Sequence, residues 1–149
     1  MSREKVNKIY DAVGKVNRAY EAYAANCGLT LYEMEIYYVM LENGCADITQ
    51  KDLCRQLEAP KTSINSIIKK QLKENRIEMK VNPLNKREKI ISLTKTGKIF
   101  AENLIFPLFK WEEDIISGIA DDKFNTAVFV QTEFADGLLQ KIKADNCKK

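Results

Sequence analysis

A chain of 149 residues has room for one domain with a real core, and 45% apolar against 30% charged residues is a water-soluble globular composition. It contains no histidine, which excludes Ser-His and Cys-His nucleophile pairs, an imidazole base and the common His-containing zinc sites. The net charge of +3 divides unevenly: residues 49–98 hold thirteen Lys and Arg against five acids, a net of +8, which leaves −5 for the two flanks together.

That distribution suits a central module that meets nucleic acid, because neutralising phosphates supplies most of the sequence-independent affinity. With six glycines and neither GxGxxG nor a GxxxxGK loop, a nucleotide-cradling turn is not expected. No enzyme activity, cofactor or metal is called for. No stretch approaches the roughly 18 uninterrupted apolar residues of a membrane span, and nothing in MSREKVNKIYDAVGK directs secretion, so the expected location is cytoplasmic. Cys27, Cys45, Cys54 and Cys147 show no CxxC spacing and read as free thiols.

In chain order, Val6, Ile9, Tyr10, Val13, Tyr20 and Tyr23 recur at helical intervals and predict one long amphipathic helix ending at Gly28. Thr30 and Glu33 form a capping-box pattern ahead of an apolar run from Met34 to Leu41, a helix that should be buried on most sides and close at Asn43-Gly44. After a loop at Cys45–Ile48, Thr49 is an N-cap with Asp52 in the first turn of a short helix. Glu58-Ala59-Pro60 interrupts, and KTSINSIIKKQLKEN resumes a helix with Ile64, Ile67, Ile68 and Leu72 as its apolar stripe and Asn75 at its end. Two helices about a tight turn are a helix-turn-helix candidate.

Ile77, Met79 and Val81 alternate with Glu78, Lys80 and Asn82 and predict a strand, KIISL predicts the returning strand, and Pro-Leu-Asn-Lys-Arg sits between them at a cationic tip. A hairpin after a helix-turn-helix is a winged arrangement: Lys86 and Arg87 can lie along or enter the minor groove while the recognition helix occupies the major groove. From Thr96-Gly97 onward helical spacing returns in two long stretches, the first holding Pro107, which should kink or split it. The expected fold is mainly α with a small β-hairpin wing, as one unit. Residues 30–98 form the winged helix-turn-helix lobe, and residues 1–29 and 99–149 supply helices whose apolar stripes exceed what the lobe can cover, which predicts a homodimer.

This order of elements, with the phrase NKREKIISLTKTG, resembles the MarR family of bacterial transcription regulators, whose wing reads D-x-R, apolar residues, then L-T-x-x-G. Arg87 fills the arginine position, Leu93, Thr94 and Gly97 fill the second phrase, and Asn85 stands where the family usually has aspartate. The resemblance implies a dimer on an inverted-repeat operator of double-stranded DNA, usually a repressor, released by a small-molecule effector or by thiol oxidation.

The candidate DNA-binding residues are Thr49, Gln50, Lys61, Thr62, Ser63, Asn65, Ser66, Lys69 and Lys70 on the helix-turn-helix and Asn85, Lys86 and Arg87 on the wing. Asn65 is the foremost base reader, since an amide can pair with adenine through two bonds. Tyr10, Tyr20, Tyr37, Tyr38 and Trp111 are candidates for an effector pocket, although such rings more often fill a core. Cys27 is the candidate redox residue, with no cation beside it in sequence to lower its pKa. The rival reading keeps the winged-helix dimer but turns its basic face to an acidic partner protein.

Overall fold

The computed structural model describes residues 1–146. Its elements run α1 (Ser2–Asn26), α2 (Leu31–Glu42), β1 (Ile48–Thr49), α3 (Gln50–Gln56), α4 (Lys61–Lys73), β2 (Ile77–Val81), β3 (Lys89–Leu93), α5 (Lys95–Ser117) and α6 (Asp121–Asn146). Local signals set most of the boundaries. Thr30 Oγ1 accepts the Glu33 N–H while Glu33 Oε2 accepts the Thr30 N–H, closing the capping box at the start of α2. Thr49 caps α3 through the Asp52 N–H, and Asn75, at φ +52°, takes the left-handed conformation that ends α4.

The chain divides into two compact units, Gly14–Phe109 and a second made of Met1–Val13 with the chain from Lys110 on. The first is the lobe, and it takes in more than the 30–98 of the expectation because its core needs both α1 and α5. One cluster gathers Ile36, Val39 and Met40 of α2, Leu53 of α3, Ile64 and Ile68 of α4, Ile77 of β2 and Ile91 of β3. The other gathers Ala24 of α1, Met34, Tyr37 and Leu41 of α2, and Ala101, Leu104, Ile105 and Leu108 of α5. Helix α2 therefore buries opposite faces in two clusters, which is why its sequence is apolar nearly all round.

Three points differ from the expectation. The predicted hairpin is a three-stranded antiparallel sheet in the order β1-β3-β2, because Ile48, read as loop, and Thr49, read only as an N-cap, pair with Ile91 and Ile90. Two residues are too few to show a period-two pattern. On α4, Gln71 is buried while Leu72 is 37% exposed, so the buried positions run Ile64, Ile68, Gln71. Finally, Pro107 does not split α5, which is one helix from Lys95 to Ser117, with Leu104, Ile105 and Leu108 packed into the core on either side of the lost N–H bond.

The base of the wing explains the Leu93-Thr94-x-x-Gly97 phrase. Thr94 N–H donates to the Arg76 carbonyl (3.1 Å), Thr94 Oγ1 donates to the Asn75 carbonyl (2.7 Å), and the same oxygen accepts the Gly97 N–H (2.9 Å), capping α5. A Cβ at position 97 would stand 1.6 Å from the Arg76 carbonyl oxygen, so only glycine lets α5 start against that backbone.

The second unit has another character. Among its described residues none is buried: Tyr10, Trp111, Ile115, Ile116, Phe129 and Leu139 are each more than half exposed, and α6 buries no side chain. Shallow grooves of about 450 and 380 Å³ run between α1 and α6 within it, one lined by Ile9, Tyr10 and Val13 facing Phe134 and Ala135. No helix among the described residues is long and apolar enough to cross a membrane.

Candidate nucleic-acid interface

Within the lobe, the start of α3, one side of α4 and the base of the wing enclose a groove of about 750 Å³. Its walls include Thr49, Gln50 and Lys51 from β1 and α3, Lys61, Asn65, Lys69 and Leu72 from α4, and Met79, Arg87 and Lys89 from the wing. The residues 61, 65, 69 and 72 share a side of α4 because they recur at helical spacing, a side that adjoins the buried stripe of Ile64, Ile68 and Gln71 so that Ile68 reaches the groove floor.

The charges of residues 49–98 divide by location. Arg55 pairs with Asp52 (2.9 Å), Lys70 with Glu33 (2.6 Å), Arg76 with Glu74 (2.6 Å), Lys80 with Glu78 (2.8 Å) and Lys98 more loosely with Glu102 (3.9 Å). The five cations lining the groove, Lys51, Lys61, Lys69, Arg87 and Lys89, form no ion pair among the described residues. Unneutralised cations converging on one concave surface attract an anion far more strongly than the same charges spread over a solvated face. The one carboxylate at the wall, Glu88, accepts from Asn82 Nδ2 at 3.3 Å.

At the centre, Asn65 Oδ1 accepts a hydrogen bond from Gln50 Nε2, which ties the recognition helix to the start of α3. This leaves the Asn65 amide N–H groups and the Gln50 carbonyl as an adjacent donor and acceptor, the pattern complementary to the N7 and N6 edge of adenine. Pro60 precedes α4 and supplies no side-chain cap, so the first N–H groups of that helix and its dipole face outward beside Lys61. Thr62 and Ser66 lie on the exposed side of α4, with Ser66 Oγ donating to the Thr62 carbonyl (3.1 Å), and Ser63 is half-buried.

Of the expected residues, Thr49, Gln50, Lys61, Asn65, Lys69 and Arg87 come together in the groove. Lys70 turns away to Glu33, whose carboxyl, although burial would raise it, is held below the usual carboxylate range by hydrogen bonds from Lys70 and the Thr30 backbone. Asn85 engages Arg87 through the main chain, accepting its N–H at 3.2 Å. Lys86 stands exposed at the tip. Lys51 and Lys89 were absent from the expected set; both belong to the basic run, but a position in one turn or strand carries no local sign that it will face α4.

Behind the groove lies a buried polar junction. Tyr37 of α2 donates its hydroxyl to Gln71 Oε1, which also accepts from Arg76 (3.3 Å). The Arg76 guanidinium lies 3.7 Å over the Phe100 ring, and Tyr37 meets that ring edge-on at 5.2 Å. Burial pushes the Tyr37 phenol up to about 12 despite the nearby Arg76.

The remaining aromatic candidates belong to both units. Tyr38 packs edge-on against Phe109 at 4.9 Å and Tyr20 against the second core cluster, while Tyr10 and Trp111 belong to the outer unit. Cys27 is exposed just beyond α1, Cys45 and Cys54 are partly buried, and all three are free thiols; Cys147 lies outside the described residues.

No family model matches the chain, and no curated protein sequence does. Solved structures do match its fold. NMB1585, a MarR family regulator from Neisseria meningitidis, aligns with a TM-score of 0.76 at 18% identity over 95% of this chain and 98% of its own. The complex of Staphylococcus aureus MepR with DNA aligns with a TM-score of 0.66 at 14% identity over 87% and 94%. Wild-type MarR from E. coli, in its apo form, aligns with a TM-score of 0.61 at 15% identity over 88% and 93%.

Proposed function

Starting from the winged-helix fold of the MarR-family regulators, we propose that this chain is a sequence-specific DNA-binding transcriptional regulator, acting as a homodimer on an inverted-repeat operator and most simply as a repressor. The observation that carries this reading is the groove, where five unpaired cations surround the Gln50–Asn65 amide pair. Cations alone would hold any polyanion. Amides held at the centre of a cationic wall add what base-edge recognition requires.

In the proposed complex α4 enters the major groove, Asn65 and Gln50 face base edges, and Lys61 and Lys69 meet phosphates. Thr49, Thr62, Ser63 and Ser66 are in reach of the backbone, and Asn85, Lys86 and Arg87 carry the wing to the adjacent minor groove. Lys70 is better assigned to holding α4 on α2 through Glu33. Dimerisation is assigned to the outer unit, whose exposed apolar side chains are what a second copy would cover. Two lobes related by a two-fold axis would then read half-sites about one helical turn apart.

Selection of bound sequences from a random duplex pool, at two salt concentrations, tests the reading. An enriched palindrome with steep salt dependence is the expected result. Binding without enrichment would remove sequence specificity, and no binding would favour the acidic-partner reading.

A further inference from the structure

The wing ends in an apolar side chain that the hairpin itself does not need. Leu84 is 95% exposed, and an isolated exposed leucine is ordinary on a protein surface. This one is held on a built frame. Pro83 fixes its own φ, Asn82 Oδ1 accepts the Leu84 N–H (3.0 Å), and the Asn82 carbonyl accepts the Asn85 N–H (3.2 Å). Below the tip the Asn82 N–H donates to the Glu88 carbonyl (3.0 Å) and the Glu88 N–H to the Asn85 carbonyl (2.9 Å), closing the turn. Lys86 and Arg87 follow after Asn85, both exposed and without a carboxylate partner among the described residues.

An apolar knob on a hydrogen-bonded turn, with two cations following on one side, is complementary to a narrow channel whose walls are phosphates and whose interior is sugar and base edge. A free-standing loop meant only for water or for phosphates would place a polar residue there. We propose that Leu84 is a minor-groove wedge: it seats between the strands beneath the wing, pries at one base step and bends the duplex, so that the protein prefers a deformable pyrimidine–purine step at that position. The inference rests on the DNA-binding reading and adds a specificity element that makes no base hydrogen bond.

The test uses the full-length protein and the duplexes that the wild type recovers from a random pool, labelled at both ends for energy transfer. Leu84→Ala should stay folded, since the side chain packs against nothing. It should lose affinity by about threefold to tenfold with an unchanged salt slope, give a straighter duplex, and no longer favour TA or CA over AA under the wing. Leu84→Met should retain the bend. If Leu84→Ala binds, bends and discriminates as the wild type does, the wedge is wrong while the DNA reading stands. If Leu84→Lys binds more tightly and with an unaltered bend, the tip merely lies along phosphates and the wedge is again overturned. A wild type that binds no duplex removes both the wedge and the reading beneath it.

Discussion

The lobe of Gly14–Phe109 and the outer unit, Met1–Val13 with the chain from Lys110 on, leave opposite things uncovered. The lobe closes two apolar clusters on themselves and leaves cations unpaired in a groove. The outer unit closes nothing among its described residues and leaves Trp111, Ile115, Phe129 and Leu139 in water. Exposed apolar area is favourably removed only by another apolar surface, and unpaired cations only by an anion. Under the proposed function the two regions would take two different partners, a second copy for one and a polyanion for the other.

The comparison breaks first at the outer unit. Ile115→Glu with Leu139→Glu places charges where the single chain is already exposed, so each chain should fold, but burying them between two copies should weaken association by at least about 4 kcal/mol, beyond a hundredfold. Sedimentation of wild type and variant checks this, and a wild type that is monomeric at micromolar concentration ends the dimer proposal.

Inside the lobe, Gly97→Ala forces a methyl against the Arg76 carbonyl and should lower stability by about 3 kcal/mol in chemical denaturation, whereas Gly137→Ala, where a Cβ meets nothing within 4 Å, should be tolerated. If both are neutral, the lobe is not as tightly closed as its backbone implies.

Tyr37 sharpens the same point through pH. Its phenol ionises near 10 in an unfolded chain and near 12 in the lobe, so the unfolded chain loses its proton first. The stability this contributes is complete below about pH 10 and is lost as pH rises towards 12, amounting to about 2 kcal/mol. Tyr37→Phe should flatten that alkaline decline, and an identical decline in the variant would assign it to other groups.

The smallest effect belongs to the groove. Arg87→Ala should reduce affinity for all duplexes by about 1 kcal/mol and shallow the salt slope by about one ion, with no change in oligomeric state. Loss of affinity together with loss of the dimer would mean that the two regions are not separable.

Legibility in the sequence followed the range of the interaction. Thr30 with Glu33, Thr49 with Asp52, and Asn75 at a helix end act over three residues or fewer, and the residues themselves name the outcome. The strand β2 announced itself by alternation, and β3 by the apolar run returning after the cationic tip. What stayed hidden was decided across the fold. Lys70 looks like any basic residue of a recognition helix until Glu33, 37 positions earlier, takes it. Gln71 replaces Leu72 in the core because Tyr37, 34 positions away, reaches its amide oxygen. Gly97 reads only as the end of a short phrase where a helix begins, and the need for glycine there comes from the distant backbone of Arg76.

Thr49 ends β1 on the Ile90 backbone and caps α3 in the same residue. Through it the wing sheet and the helices that carry the amide pair become one stiff calliper, its jaws set by covalent chain and ladder bonds. In the proposed complex such a frame would gauge the spacing from one groove to the next. Duplexes whose twist carries that spacing away from the jaw width would be turned down even where every base the protein touches is correct.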